Sequence, residues 1–364
     1  MTNKERITRC AQNLPIDRAP FFFYFGPWME TVQNWEAEGI TDPNAWHSEE
    51  FGFDTGILDL SEHVNLLYQP YFEEKILSRE NGRVVIMDRY GVISESISGK
   101  SGIPHILKNP VTCRSDWDQI KKERLNPNDP ARFSPKYREF IRHAKESDAA
   151  IQIGKYPFGL FGTLRDMIGV EELCYLFYDD PELIHDMMDD LTDFWLAIYE
   201  QVSADIQIDI IHIWEDMSGK TGSLISPAMV REFMMPNYQK ICDFARRHQI
   251  PVIAVDTDGI CDQLIPLFIE SGINLLMPIE IAAGNNLQDL KKRFPEISLM
   301  GGIDKMEIAK GKEAIDAQLD LLDPLLQESG YFPALDHLIP PEVSWENYHY
   351  FVTQLRKRIM QYAK

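Results

Sequence analysis

Cysteine is scarce in this chain, with five residues in 364 and no C-x-x-C pair. An odd number of widely spaced thiols predicts neither a disulfide framework nor a thiolate zinc site. We expect each to be a small buried hydrophobic residue. They are Cys10, Cys113, Cys174, Cys242 and Cys261.

Long apolar runs and positive charge are also lacking. No apolar run reaches the roughly 18 residues that a membrane span needs, and the first fifteen residues lack the apolar core of a secretory signal. We therefore expect a cytoplasmic protein. Lys and Arg number 36 against 57 Asp and Glu, which gives a net charge of −21. Such a surface repels phosphate backbones and anionic lipid, so nucleic acid and membranes are not expected partners.

Short apolar or aromatic runs alternate with longer amphipathic stretches, a pattern typical of repeated βα units. Several runs are continuously apolar, as expected for parallel strands buried on both faces. No G-x-G-x-x-G follows the first run, which disfavours a dinucleotide-binding sheet. We predict an α/β fold, a (β/α)8 TIM barrel, forming a single domain over residues 1–364. The eight predicted strands are 19–25, 53–60, 149–154, 208–214, 251–255, 273–277, 297–301 and 331–335.

Residues 71–99 break this alternation. They indicate two or three strands, with Asn81-Gly82 as a type I′ hairpin turn. We predict a β-hairpin insertion between strands two and three that covers the barrel mouth.

Acidic residues follow five consecutive predicted strands, from the fourth to the eighth. In a barrel the loops after the strands build the active face, so these side chains meet at one rim. Clustered carboxylates need a metal ion, shared protons acting in acid–base catalysis, or a cationic substrate. Helix N-capping is the alternative, chiefly for Asp216 and Asp304. The set is Glu215, Asp216, Asp256, Asp258, Glu280, Asp304 and Asp336, together with His337.

Histidine and aromatic residues complete the candidate site. His337 follows the last predicted strand beside Asp336, which favours a functional role, whereas His212 lies inside a strand and is expected in the core. Aromatic residues near the first and third strands suit a flat apolar ligand, a quaternary ammonium or core packing. They are Tyr24, Phe25, Trp28 and Phe161.

Several segments, taken in their order and spacing, resemble the uroporphyrinogen decarboxylase superfamily over nearly the whole chain. The resemblance implies a (β/α)8 barrel and a homodimer. The segments are DRAP (17–20), FGFD (51–54), FGLFGTLRDMIG (158–169), SPAMVREFMMPNYQKI (226–241), VDTDG (255–259), LMGGIDK (299–305) and ALDHLIPPEVSWEN (334–347).

The residues of the true decarboxylases are mostly missing. Their two arginines after the first strand, which hold the porphyrinogen carboxylates, correspond to Phe25 and Met29. Their catalytic aspartate falls near Ser61 and their active-site tyrosine on Asp166, and only the late histidine is matched, by His337. The comparison implies that this chain does not decarboxylate uroporphyrinogen.

The corrinoid-dependent methyltransferases of the same superfamily hold zinc through an H-x-C motif after strand five and a late cysteine. The corresponding residues here are Asp256, Asp258 and His337. The resemblance implies a divalent metal such as Zn²⁺ held by these three, with Glu215 or Glu280 nearby.

We predict a methyltransferase component that demethylates a methyl ether or methylamine and passes the methyl group to the corrinoid (cobalamin) of a partner protein. A decarboxylase or lyase of a small organic or aromatic acid, using Lys155 or Arg165, and a non-catalytic tetrapyrrole-binding protein remain alternatives. The predicted catalytic residues are Asp256, His337 and Glu215. The predicted substrate-binding residues are Tyr24, Phe25, Trp28, Phe161, Asp166 and Glu280.

Overall fold

A computed structural model describes residues 1–97 and 104–364. Seven of its strands form one parallel sheet, in the order β1-β6-β7-β10-β11-β12-β13. These strands are β1 (Ile57–Asp59), β6 (Ala150–Gly154), β7 (Ile210–Trp214), β10 (Val252–Asp256), β11 (Leu275–Ile279), β12 (Ser298–Ile303) and β13 (Tyr331–Leu335). Six of them overlap predicted strands within about three residues at each end, so the fold is α/β as predicted.

Helices separate most of the parallel strands. The described α-helices are α1 (Asn3–Ala11), α2 (Met29–Ala37), α3 (Arg114–Arg124), α4 (Tyr137–Glu146), α5 (Leu160–Ile168), α6 (Val170–Asp179), α7 (Pro181–Asp205), α8 (Pro227–Met229), α9 (Met235–Arg247), α10 (Ile265–Ser271), α11 (Leu287–Arg293), α12 (Lys305–Ile308), α13 (Lys312–Asp320), α14 (Asp323–Leu326) and α15 (Trp345–Gln361). A π-helical turn at Val230–Met234 joins α8 to α9, and 3₁₀ turns lie at Ala45–His47, Glu49–Phe51, Leu60–Glu62, Pro130–Arg132 and Ile281–Ala283.

Local sequence signals mark several helix starts. The Ser226 hydroxyl accepts a hydrogen bond from the Met229 amide at the start of α8, with Pro227 in the first turn. Asp180 caps the 25-residue helix α7 in the same way. These side chains satisfy amide groups that a helix end would leave without a partner.

The sheet curls around an apolar centre. Inward-facing side chains from β6 to β13 form one buried cluster with residues of α1. The cluster comprises Ile7, Cys10, Ala11, Ile16, Phe22, Ala150, Ile210, Val252, Ala254, Leu275, Met277, Met300, Phe332 and Ala334. Its members come from strands on opposite sides, as a curled sheet requires.

The first predicted strand, 19–25, is wrong as a regular strand. Phe21 and Asp54 do exchange two hydrogen bonds, from the Phe21 amide to the Asp54 carboxylate and from the Asp54 amide to the Phe21 carbonyl. Farther along, Pro27 forms a single parallel bridge with Ile339. A side-chain acceptor has taken the place of a backbone one, so the regular ladder does not form.

Residues 75–108 contain a second, antiparallel sheet. Its strands are β2 (Lys75–Glu80), β3 (Arg83–Met87), β4 (Ile93–Ile97) and β5 (His105–Lys108). Asn81 and Gly82 join β2 to β3 with φ of 50° and 74°. The predicted insertion, 71–99, ends at residues 98–99, which lie outside the described residues. A further small antiparallel pair is β8 (Ser218–Gly219) with β9 (Gly222–Ser223).

Among the described residues, no helix combines the length and apolar character needed to cross a membrane.

Candidate active site

Asp256 is the last residue of β10, and Asp258 lies in the loop that follows, which other segments contact on both sides. Thr257, buried between the two acids, accepts a hydrogen bond from the Met217 amide at 3.0 Å. Gly259 has φ of +77°, and a Cβ there would lie 2.6 Å from the Gly219 amide nitrogen. The Glu280 carboxylate accepts a hydrogen bond from the Gly259 amide at 3.0 Å. Glu280, a predicted substrate-binding residue, therefore positions this loop.

A chain of hydrogen bonds crosses the interior of the curled sheet to Asp256. The Gln152 side-chain amide donates to the Tyr24 hydroxyl at 2.9 Å and to Asp59 Oδ2 at 3.2 Å. The Tyr24 hydroxyl lies 2.7 Å from His212 Nδ1, and His212 Nε2 lies 3.1 Å from Asp256 Oδ2. His212 is fully buried, whereas the Asp256 side chain keeps 14% of its exposure.

The direction of this chain follows from its donors. The Gln152 side chain donates an N–H hydrogen bond to the Tyr24 hydroxyl oxygen. The hydroxyl hydrogen of Tyr24 is therefore free to be donated to His212 Nδ1. The imidazole proton then sits on Nε2 and is donated to Asp256. Burial raises the pKa of Tyr24 well above its ordinary value, which keeps the phenol protonated. Asp256 is thus oriented as a hydrogen-bond acceptor.

His337 and Asp258 face each other beside this acceptor. His337 Nε2 lies 3.8 Å from Asp258 Oδ2, beyond hydrogen-bond length. The Phe25 ring stacks on the His337 ring, with centroids 5.1 Å apart and planes at 10°. Side-chain exposures of 30% for His337 and 38% for Asp258 leave both open to a ligand.

Electrostatics favour neutral forms of both groups. Burial, followed by the charges of Asp256, Asp216 and Glu280, raises the pKa of Asp258 to about 7. Burial, followed by the positive charge of Lys305, lowers the pKa of His337 below 6.5. Near neutral pH a substantial fraction of Asp258 is therefore protonated next to an uncharged imidazole.

Glu215, a predicted catalytic residue, is turned away from this site. Its Oε1 accepts the Leu160 amide at 3.1 Å and the Tyr238 hydroxyl at 2.8 Å. Its Oε2 accepts the amides of Phe161 at 2.7 Å and Gly162 at 3.1 Å. The carboxyl is fully buried, and burial raises its pKa to about 7. These contacts give Glu215 a structural role at the start of α5.

The remaining rim carboxylates also have local partners. Asp216 forms an ion pair with Arg165, and Asp304 accepts the Met306 amide at 2.8 Å as the N-cap of α12. The buried Asp336 accepts the Ile281 amide at 3.0 Å and lies 3.3 Å from the Lys305 ammonium. Capping and pairing account for these three.

The other three predicted substrate-binding residues have different surroundings. Phe161 is buried in the core against Phe177. Trp28 is 48% exposed at the start of α2. Asp166 lines a separate cavity beside the antiparallel sheet.

The predicted metal-ligand set is not assembled. Within the described residues, no three His, Cys, Asp or Glu side chains are close enough to hold a metal ion. Asp256 Oδ2 is bonded to His212 at 3.1 Å, and His337 stands 3.8 Å from Asp258. These residues do not fit a metal ion in this arrangement.

His212 is buried in the core, as its position inside a strand predicted, but the sequence did not indicate its hydrogen bonds to Tyr24 and Asp256. Gln152 and Asp59 were not singled out from the sequence. All three lie in or just after apolar runs, at positions whose side chains point inward. The available signal was polarity itself, because a polar side chain inside a parallel strand must have a partner.

Comparison with known proteins agrees with the sequence resemblance. The sequence model of the uroporphyrinogen decarboxylase (URO-D) family matches residues 84–358, more than half of the chain. Uroporphyrinogen decarboxylase of Campylobacter concisus is 25% identical over 189 residues, which cover 50% of this chain and 51% of that protein. The chain thus spans about half the length of that relative. The Campylobacter lari enzyme is 26% identical over 271 residues, covering 70% of this chain and 72% of that protein.

Among solved structures, a methyltransferase from Methanosarcina mazei shares the fold, with a TM-score of 0.64 and 16% identity over the full length of both chains. The family match covers the loop after β10 and His337 alike. The chain therefore belongs to the uroporphyrinogen decarboxylase (URO-D) family.

Proposed function

We propose that this chain is the substrate-binding component of a corrinoid-dependent methyltransferase. It takes a methyl group from an O-methyl or N-methyl small molecule and presents it to a corrinoid carried by a partner protein. The observation that carries the proposal is the half-exposed Asp258 facing His337 at 3.8 Å, close to Asp256, whose carboxylate is hydrogen-bonded to His212. Burial and the charge of Asp256 raise the pKa of Asp258 to about 7.

This pair suits cleavage of a methyl–oxygen or methyl–nitrogen bond. The electron pair of that bond stays on the oxygen or nitrogen, which takes the proton from Asp258 and leaves as an alcohol or amine. The reduced cobalt of the corrinoid, acting as co-substrate, supplies the electron pair of the new bond to the methyl carbon. A general acid works best when its pKa lies near the working pH, and the pKa of Asp258, about 7, meets that condition.

The other residues position the acid and its ligand. Asp256, oriented by His212, accepts a hydrogen bond from a polar group of the substrate. His337, held against the Phe25 ring and uncharged near neutral pH, lies on the other side of Asp258. No step is assigned to a divalent metal or to zinc, because within the described residues no three ligating side chains are close enough to hold one.

Charge argues against the activity of the curated relatives. The two positions that correspond to carboxylate-binding arginines are Phe25, stacked on His337, and Met29, which is 74% exposed. The lysines near the strand ends are already beside acids, with Lys155 at 3.9 Å from Asp59 and Lys305 next to Asp336. A polyanionic porphyrinogen would meet net negative charge here.

The fold likeness to the Methanosarcina mazei methyltransferase is compatible with the proposal. We also infer that residues 19–28 occupy the position of the eighth strand and close the sheet into a barrel. Hydrogen bonds to Asp54 on one side and to Ile339 on the other support this inference.

The direct test is methyl transfer to reduced cobalamin, free or on a corrinoid protein, across a panel of methyl ethers and methylamines. The rate should decline as the pH rises through about 7, because Asp258 must be protonated and its pKa is raised. Asp258→Asn should lower turnover about 100-fold. Asp193→Asn, which makes the same replacement of carboxyl by amide at a 71% exposed site on α7, serves as the matched control.

Absence of transfer to any corrinoid acceptor would refute the proposal, as would an Asp258→Asn variant with wild-type turnover. Elemental analysis of the purified protein belongs beside the assay. A stoichiometric metal that is lost in Asp256→Ala or His337→Ala would replace the acid mechanism with a metal-assisted one.

A second candidate function is decarboxylation of a small organic or aromatic acid. The observation in its favour is a cavity of about 360 Å³ lined by aromatic rings together with Gln152, Asp59 and the half-exposed Lys155. Lys155 could hold one carboxylate there. Release of CO2 without any corrinoid, abolished in Lys155→Met, would favour this candidate over methyl transfer.

A further inference from the structure

The buried carboxylate of Asp336 joins several of the loops that follow the parallel strands. Asp336 follows β13, lies immediately before His337, and has a fully buried side chain. Its Oδ2 accepts a hydrogen bond from the Ile281 amide at 3.0 Å, and its Oδ1 accepts one from the Lys305 amide at 3.2 Å. Ile281 follows β11 and Lys305 follows β12. The loops after three consecutive strands therefore meet at one carboxylate.

A fourth loop is attached through Glu280, which precedes the bonded amide of the loop after β11. The Glu280 carboxylate accepts a hydrogen bond from the amide of Gly259, the residue after Asp258. The Asn285 side-chain amide donates to the carbonyl oxygens of Gly259 and Glu280, both at 2.9 Å. The loop that carries Asp258 is thus connected to the Asp336 carboxylate by a short series of hydrogen bonds.

The Lys305 side chain supplies the positive charge next to this carboxylate. Its ammonium lies 3.3 Å from Asp336 Oδ1, and only 17% of the side chain is exposed. In the part of the chain that the structure describes, no other basic side chain forms an ion pair with Asp336. A buried carboxylate that loses its counter-ion is strongly destabilised where it stands. Without Lys305 the carboxylate would therefore turn toward water and release the two backbone amides.

We propose that Lys305 is a positioning residue for the methyl transfer proposed above, on which this inference rests. By balancing the charge of Asp336, Lys305 keeps the loops after β10, β11 and β13 in one arrangement, in which His337 faces Asp258 at 3.8 Å. Lys305 takes no part in the chemical step and does not contact the substrate.

Methyl transfer by three variants tests the role of the charge. Lys305→Met removes the ammonium and should lower kcat about 10–100-fold with less than about a three-fold change in KM, because the reacting groups are misplaced. Lys305→Arg keeps a cation next to Asp336 and should retain kcat within about three-fold. Lys312→Met, the same replacement at a 49% exposed lysine on α13, is the matched control and should behave as the wild type.

A second measurement does not depend on turnover. The ring centroids of Phe25 and His337 lie 5.1 Å apart, close enough for a nuclear Overhauser effect between their ring protons. The signal should be present in the wild type, Lys305→Arg and Lys312→Met, and lost in Lys305→Met. If Lys305→Met does not fold, Lys305→Gln, which keeps an N–H donor without the charge, replaces it in both measurements.

The positioning role requires both losses together in a protein that transfers methyl groups. Lost turnover with an unchanged ring contact would mean that Lys305 acts on the substrate directly, and a lost contact with full turnover would mean that the arrangement is not needed. Either result overturns the proposal, as do wild-type behaviour of Lys305→Met and equal losses in the Met and Arg variants. If the wild type transfers no methyl group, the proposed function fails, and the ring contact alone then decides whether Lys305 positions His337.

Discussion

Replacing Glu215 by glutamine distinguishes a structural carboxyl from a catalytic one. Glu215 accepts four hydrogen bonds, three from the first amides of α5 and one from Tyr238. In glutamine the amide nitrogen can occupy the Oε1 position and donate to Tyr238, while the Oε2 position still accepts from Phe161 and Gly162. The Leu160 amide then loses its acceptor, which costs about 1–3 kcal/mol.

The pH dependence sharpens the expectation. The pKa of Glu215 is raised from 4.5 to about 7 by burial. Below pH 4.5 the folded and unfolded chains are both protonated at this residue. As the pH rises to about 7 the unfolded chain releases its proton first, so stability falls by about 3 kcal/mol and stays lower above pH 7. Glutamine does not ionise and escapes this loss.

Glu215→Gln should therefore be less stable than the wild type by about 2 kcal/mol at pH 5, and close to it at pH 8. Thermal unfolding at the two pH values measures the difference, which corresponds to a few degrees in Tm at pH 5. Tyr238→Phe, which removes one donor to Oε1, serves as the control and should show a smaller loss at both pH values.

The reasoning is refuted if Glu215→Gln has wild-type stability at pH 5 and pH 8 but no turnover. That outcome would mean that Glu215 takes part in the reaction, which is the catalytic role predicted from the sequence alone. A loss of stability that grows with pH would also contradict the argument, because it would mean that the carboxylate is favoured by its surroundings.

Two further substitutions test other contacts, one in the hydrogen-bond chain to Asp256 and one in the packing of the loop before α5. Tyr24→Phe removes the hydroxyl that donates to His212, so turnover should fall about 10–100-fold with little change in KM. Nitrogen NMR of His212 should then show a mixture of tautomers, and an unchanged imidazole spectrum would contradict the directed chain. Gly159→Ala places a Cβ on the backbone carbonyl oxygen of Trp214, a clash that no side-chain rotation can relieve, and should cost more than about 4 kcal/mol or prevent folding. Gly219→Ala, with nothing within 4 Å, should leave the Tm unchanged and is the control.

Much of the fold could be predicted from local sequence. Runs such as 208–214 and 251–255 are apolar throughout, and a strand buried on both faces needs that pattern whatever its neighbours are. The N-caps at Ser226 and Asp304 are equally local, because a capping side chain bonds amides only two or three residues away. The prediction of the first strand was wrong because the Phe21 amide donates its hydrogen bond to the side chain of Asp54, which is distant in the sequence.

The candidate site shows the same division. Strand ends alone indicated that Asp256, Asp258 and His337 would lie near one another, since parallel strands end at one edge of a sheet. Residue type did not indicate what each carboxyl does. Glu215 and Asp258 both follow strands and both have a raised pKa, yet four donors enclose Glu215 while Asp258 stays open beside His337.

The sequence by itself determined the alternation of elements, the acidic strand ends and the family. Only the tertiary structure decided which side chains share a hydrogen bond. It joined Tyr24, His212 and Asp256 across residues far apart in the chain, and it left the Tyr68 hydroxyl without a partner among the described residues. The physical reason is the sequence distance over which each interaction acts. Hydrophobic periodicity and capping act over a few residues, whereas pKa shifts and hydrogen-bond partners depend on groups that only folding brings together.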